Sequence, residues 1–162
     1  MASWRIRLAD DIHTQITVQF FQPCITTSRN GPLTTSNGQS ICVDAGGSIN
    51  GPISISRGGA LYVNGGTIRG PLRSTGAAAL TFCAASVSGP VTVTSTTGPV
   101  LIGGSNCAVT SISGPVQITD NTGGVSFAGN TVHGPLTITG NTGGFSYSGN
   151  TVTGPITVSD NS

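Results

Sequence analysis

Side chains able to move a proton near neutrality are scarce in this chain: five Asp and two His, with no Glu and no Lys. Glycoside or ester chemistry on carboxylates needs two acids placed together, one to give a proton and one to take it or to attack. The acids available are Asp10, Asp11, Asp44, Asp120 and Asp160. His13 with Asp11 has the composition of a base and an acid partner, but a spacing of two residues is common by chance. His133 has no second imidazole at an equivalent place. Ser is plentiful, yet no Gly-x-Ser-x-Gly elbow with spaced His and Asp partners occurs, and no glycine-rich phosphate loop opens a helix. The four Cys show no Cys-x-x-Cys pair and have no His beside them in sequence, so zinc is not expected. No catalytic residue, metal or cofactor is assigned.

The elements that would position such groups are legible from a repeat. Gly-Pro followed by an aliphatic residue starts at Gly31, Gly51, Gly70, Gly89, Gly114, Gly134 and Gly154, at intervals of 20, 19, 19, 25, 20 and 20 residues. A further Gly98-Pro99 falls off this register, inside the long interval. Apolar residues alternate within each unit, as in Val116 and Ile118, Val125 and Phe127, Leu136 and Ile138. Period two means strands, and Asn, Gly, Thr and Asp between the runs supply turns. Strands that short cannot bury a face alone, whereas stacked units can. The expected fold is therefore all-β, a parallel β-helix (β-solenoid) of about seven coils with roughly 20 residues per coil. Residues 1–30 are read as an N-terminal cap segment, with a strand over Ile12, Thr14, Ile16, Val18 and Phe20, and residues 31–162 as the repeats of a single domain.

Stacking sets the expected surroundings of individual residues. Val116, Ile118, Val125, Phe127, Val132, Leu136, Ile138, Phe145, Tyr147 and Val152 should face inward. Asn121, Asn141 and Asn161 share one corner column and Asn130 and Asn150 another, which predicts side-chain amide ladders. Asp120 and Asp160 share a column interrupted by Gly140, so they stand two coils apart, roughly 9.6 Å, and read as turn residues rather than a metal pair. Cys24 and Cys42 flank the first coil. Cys83 aligns with Ala128, and Cys107 lies in an insertion following Gly104. Adjacent coils bring such positions within disulfide reach, so of three connectivities Cys24 with Cys42 and Cys83 with Cys107 are expected. The competing reading is four free thiols packed as small apolar groups.

Composition narrows the partners. The chain has 162 residues, 36% of them hydrophobic and 7% charged, with a net charge of +1. Regular Val, Ile, Leu and Phe separate it from a disordered Gly- and Ser-rich chain. Six scattered Arg make no basic stripe, which argues against nucleic acid. No apolar run is long enough for a transmembrane span, and Met1 to Gln15 carry charges without the apolar stretch of a signal peptide.

Units such as GNTGG (Gly140–Gly144) and GNTVTGP (Gly149–Pro155) make the chain, over about Cys24 to Ser162, resemble right-handed parallel β-helix proteins, most closely secreted actinobacterial repeat proteins. The resemblance implies right-handed coiling. With the cysteine pairing it also implies an extracellular or cell-surface setting.

Two outward columns flank Ile118 and Ile138. One reads Ser54, Arg73, Thr92, Gln117, Thr137 and Thr157, the other Ser56, Thr75, Thr94, Thr119, Thr139 and Ser159. Their hydroxyls should form a flat array, about 6.7 Å apart along a strand and about 4.8 Å between coils. Thr92, Thr94, Thr119, Thr137, Thr139 and Thr157 are the candidate binding residues, although Thr is also an ordinary choice for an exposed strand. The expected function is a structural or surface-recognition module for a glycan or cell-envelope surface. A polysaccharide- or ester-acting hydrolase or lyase is the alternative, for which Asp44, Tyr62, Arg57 and Arg73 in one groove would be the place to look. Ice binding, suggested by the resemblance of the array to ice-binding solenoids, is a second alternative. The repeat stops part-way through a unit at Ser162, so either the chain continues there or that end pairs with something, and in the second case end-to-end self-association is a further expected partner mode.

Overall fold

The computed structural model describes residues 23–162, so the strand expected between Ile12 and Phe20 lies outside the described residues. The described chain is all-β and winds through three parallel sheets with a spacing of about 20 residues per turn, a β-solenoid of about seven coils. Sheet I holds Ser28–Asn30, Ser48–Asn50, Thr67–Ile68, Ser86–Val87, Thr110–Ile112, Asn130–Val132 and Thr151–Val152. Sheet II holds Leu33–Thr35, Ile53–Ile55, Leu72–Thr75, Val91–Thr94, Val116–Thr119, Leu136–Thr139 and Ile156–Ser159. Sheet III holds Ser40–Asp44, Ala60–Asn64, Ala79–Cys83, Val100–Gly103, Val125–Ala128 and Phe145–Ser148. Each coil visits them in the order I, II, III, and the last described coil has strands in sheets I and II. Ser28–Asn30, inside the segment read as a cap, is already paired in register with Ser48–Asn50.

The Gly-Pro unit makes the corner from sheet I to sheet II, and packing between coils explains its composition. A Cβ on Gly114 would lie 2.7 Å from the backbone of Gly89, closer than real side chains approach, and one on Gly134 would lie 3.0 Å from that of Gly114, tighter than nearly all real contacts. The Pro that follows gives up no needed donor, while its carbonyl accepts from the coil before: Val116 N–H donates to Pro135 O and Leu136 N–H to Pro155 O, each at 2.9 Å. Gly98-Pro99 does similar work at the corner from sheet II to sheet III, where a Cβ on Gly98 would collide with the Ala78 carbonyl and Leu80 N–H donates to Pro99 O. Its different register therefore marks a different corner. The long interval comes instead from the corner between sheets III and I, where residues 104–109 bulge out before Thr110 pairs with Asn130.

Inside, Val116, Ile118, Val125, Phe127, Val132, Leu136 and Ile138 are buried, as expected. Phe145, Tyr147 and Val152 pack on this core but are only half-buried, because among the described residues no coil covers their far side. Tyr147 stacks parallel to Phe127 with ring centroids 6.2 Å apart.

The predicted Asn ladders are present, and in the first column Asn141 is fully engaged, whereas in the second the buried Asn130 Oδ1 has no hydrogen-bond partner. Asn141 is buried. Its Nδ2 donates to Ile118 O at 3.0 Å and to Asn161 Oδ1 at 2.7 Å. Its Oδ1 accepts from the backbone N–H of Asn121 at 3.0 Å and from Asn121 Nδ2 at 2.7 Å. In the second column Asn130 Nδ2 donates to Ile102 O at 2.8 Å and to Asn150 Oδ1 at 3.0 Å. Corner carbonyls and amides that the sheets leave unpaired are satisfied this way.

Both expected disulfides are formed, with Cα atoms 4.5 Å apart for Cys24–Cys42 and 5.1 Å apart for Cys83–Cys107. The first fastens the chain before the first coil to sheet III, beside the bridge from Ile25 to Val43. The second pins the 104–109 bulge to the corner it leaves. By loop length alone, sequence separations of 18 and 24 residues correspond to about 3 kcal/mol each of lost unfolded-state entropy.

Candidate functional site

Sheet II carries the hydroxyl array where the sequence places it. Parallel register sets Arg73, Thr92, Gln117, Thr137 and Thr157 in one line, which Thr34 and Ser54 extend. Thr75, Thr94, Thr119, Thr139 and Ser159 form the other. Thr92, Thr94, Thr119, Thr137 and Thr139 are half-buried by neighbours above and below, and Thr157 is exposed. The Thr94 hydroxyl donates to Ser74 O at 3.4 Å and lies 3.5 Å from Thr75 Oγ1. Among the described residues, the other five hydroxyls of the set form no hydrogen bond with protein and face outward. Arg73 and Gln117 interrupt the line, leaving Thr137, Thr139, Thr157 and Ser159 as its most regular patch.

Sheet I carries a second array that the sequence reading overlooked. Ser28, Ser48, Thr67, Ser86, Ser111, Thr131 and Thr151 pair in register from coil to coil, an unbroken hydroxyl column along the whole stack. The signal was available, since Ser or Thr stands three residues before every in-register Gly-Pro. Attention to the strand after Gly-Pro concealed the shorter strand before it. Beside this column, a shallow groove of about 140 Å³ is lined by Thr67, Arg69, Ser86, Val87, Ser88, Ser111 and Ser113. No carboxylate lines it, and Arg69 is exposed at its rim.

The four groups named for the hydrolytic alternative do not share one face. Asp44 lies on sheet III, where Asn64 Nδ2 donates to it at 3.3 Å, and Tyr62 is exposed two register positions away on the same sheet. Arg73 belongs to sheet II and Arg57 to the corner between sheets II and III. Asp120 and Asp160 are turn residues in the left-handed region, at φ 56° and 55°, and Asp160 accepts from the Ser159 hydroxyl at 3.0 Å. His133 sits at the outer edge of sheet I and His13 lies outside the described residues. Among the described residues no three of His, Cys and Asp come together as metal ligands.

What the molecule offers chemically is therefore repetition, with hydroxyls at fixed intervals on two rigid faces and little charge. No family model matches the chain, and no curated protein or solved structure is significantly similar to it.

Proposed function

We propose that the chain is an extracellular or cell-surface recognition module that holds a regular, polyhydroxylated polymer, a glycan of the cell envelope, against its outward Ser and Thr columns. The observation that carries this reading is the unbroken hydroxyl column of sheet I with the groove beside it, in register from Ser28 to Thr151. The sheet II patch around Thr137 and Thr139 adds a second face of similar chemistry. A ligand that repeats along its length can meet equivalent hydroxyls on successive coils, so that many weak hydrogen bonds add. The two disulfides fit an oxidising compartment and support the extracellular setting. The secreted repeat proteins that the sequence resembles belong to the same proposal.

Binding to a panel of insoluble polysaccharides, measured by depletion from solution, tests the reading. Ser86→Tyr with Ser111→Tyr blocks the sheet I column, and Thr137→Tyr with Thr139→Tyr blocks the sheet II patch. Loss of binding in either pair, with unchanged circular dichroism, supports the proposal and assigns the face. Equal binding by both pairs overturns it. Turnover of a soluble polysaccharide or ester that one Asp or His substitution abolishes would establish the enzymatic alternative instead. Inhibition of ice recrystallisation lost with Thr137→Tyr and Thr139→Tyr would identify the ligand as an ice plane.

A further inference from the structure

The groove on sheet I lies on three consecutive coils in the middle of the stack and has a charge character of its own. Continuing the register by one residue past the inward Ile49, Ile68, Val87, Ile112 and Val132 gives a second outward column, in which Asn50, Arg69, Ser88, Ser113 and His133 follow one another. Arg69 is exposed beside the small side chains of Ser88 and Ser113 and lines the groove with Thr67, Ser86 and Ser111. Its column neighbours direct their hydrogen bonds elsewhere. Asn50 Nδ2 donates to Ser28 Oγ and Asn30 Oδ1 at 3.0 and 2.8 Å, and the Ser88 hydroxyl donates to Ile68 O at 3.4 Å. Asn50 Oδ1 has no donor, so the guanidinium is not turned back onto that coil. The described carboxylates stand on other parts of the perimeter, Asp44 on sheet III and Asp120 and Asp160 in the turns that follow sheet II.

Building on the glycan reading above, we infer that this groove selects an acidic glycan. Arg69 takes an anionic substituent of the polymer, a carboxylate or a phosphate, while Thr67, Ser86 and Ser111 meet its hydroxyls. The planar guanidinium offers five N–H donors in a fork that matches two oxygens of either group at once. A neutral polymer laid over Arg69 would strip water from the charge and return no counter-charge, whereas an acidic one returns it. With no carboxylate lining the groove, nothing there repels the anion. The sheet II patch is the less favourable face for such a ligand, because Asp120 and Asp160 adjoin Thr119 and Ser159. The two coil steps from Thr67 to Ser111 cover roughly 9.6 Å of the axis, so the contact is with a short stretch of the polymer around one charged substituent.

Isothermal titration calorimetry of the full chain, at about 0.15 M salt so that charges more than about 8 Å apart are screened, compares three polymers of one backbone. These are carboxymethyl-cellulose, phosphorylated cellulose and the neutral hydroxyethyl-cellulose. At least one anionic polymer should bind more tightly than the neutral one, and which of them does so names the substituent. Arg69→Gln should weaken the favoured anionic polymer about three- to tenfold, the range of a partly exposed charge-assisted pair, and leave hydroxyethyl-cellulose unchanged. Arg57→Gln removes the same charge from the corner between sheets II and III and should alter neither. Equal binding of all three polymers overturns the inference, as does equal weakening of anionic and neutral polymers by Arg69→Gln, or the same loss with Arg57→Gln. In each of those cases the glycan-binding module itself still stands. If none of the three binds but a neutral polysaccharide of the insoluble panel does, again only the acidic selection falls. Failure on every polysaccharide removes both readings.

Discussion

Replacing Asn141 tests whether the corner ladder or simple turn preference holds the coils in register. Asn141→Ala removes four hydrogen bonds, two donated by Nδ2 and two accepted by Oδ1. At about 1 kcal/mol net for each bond, and with the buried Asn121 N–H left without its acceptor, the loss is about 4 kcal/mol, within a range of roughly 3–5. Asn161→Ala is the internal comparison. Asn161 makes the same kind of contacts, accepting from Asn141 N and Nδ2 at 3.1 and 2.7 Å, but it is half-buried, so water replaces part of what is lost. A cost of about 1–2 kcal/mol is expected there. Asn141→Asp separates the two explanations. It keeps the shape and turn tendency and still accepts from Asn121, but it turns acceptor against acceptor at Ile118 O and Asn161 Oδ1 and buries a charge. Guanidinium denaturation followed by circular dichroism gives the global cost. Because stacked repeats open locally, hydrogen exchange at the Asn121 amide gives the local one. Stability of Asn141→Asp within about 1 kcal/mol of the unsubstituted chain would refute the ladder argument.

Other perturbations follow from the same stack. Ser74 is buried between Ile55 and Val93 with its hydroxyl unpaired, so Ser74→Val should stabilise by about 1–2 kcal/mol, read as a higher denaturation midpoint. Gly114→Ala drives a Cβ onto the Gly89 backbone and should cost about 1–3 kcal/mol, with lower exchange protection in the coils on both sides. Ala84 adopts a left-handed φ of 53°, and Ala84→Gly should be neutral or raise stability by up to about 1 kcal/mol in the same assay. Reduction should raise amide exchange around Cys42 and in the 104–109 bulge while the coils from Val116 onward keep their protection. Four thiols alkylated in untreated protein would contradict both disulfides.

The period-two pattern was enough to orient Ile118, Ile138 and Phe127, because a one-residue slip would expose an entire column. Coil spacing was enough to pair the cysteines, since residues one turn apart in sequence become neighbours along the axis. Spacing alone said less about Phe145, Tyr147 and Val152, whose burial depends on what lies beyond them and not on their own alternation. Arg69 carried no signal as an isolated charge and acquires one only when register sets it beside the sheet I hydroxyls. The sheet I hydroxyl column was equally readable in the sequence, but two- and three-residue strands give alternation too little length to draw the eye. Arg57, Arg73, Tyr62 and Asp44 lie close in sequence, yet only Tyr62 and Asp44 share a sheet, with Arg73 on sheet II and Arg57 at the corner between, and sequence proximity hides that angle.

The 104–109 bulge has a consequence for how such a chain can change its length. The coils before and after it stay in register, Ile102 on Phe127 and Thr110 on Asn130, although extra residues separate the two strands. The corner between sheets III and I thus works as an expansion joint, where added chain leaves the stack sideways and neither neighbouring coil has to shift. A peptide tag, a fluorophore-bearing loop or a whole folded insert placed between Gly104 and Val109 should therefore be carried on the outside of an otherwise unaltered column, with Cys83–Cys107 as its mooring. The same addition at a Gly-Pro corner would have to pass through a gap too narrow for a single methyl group.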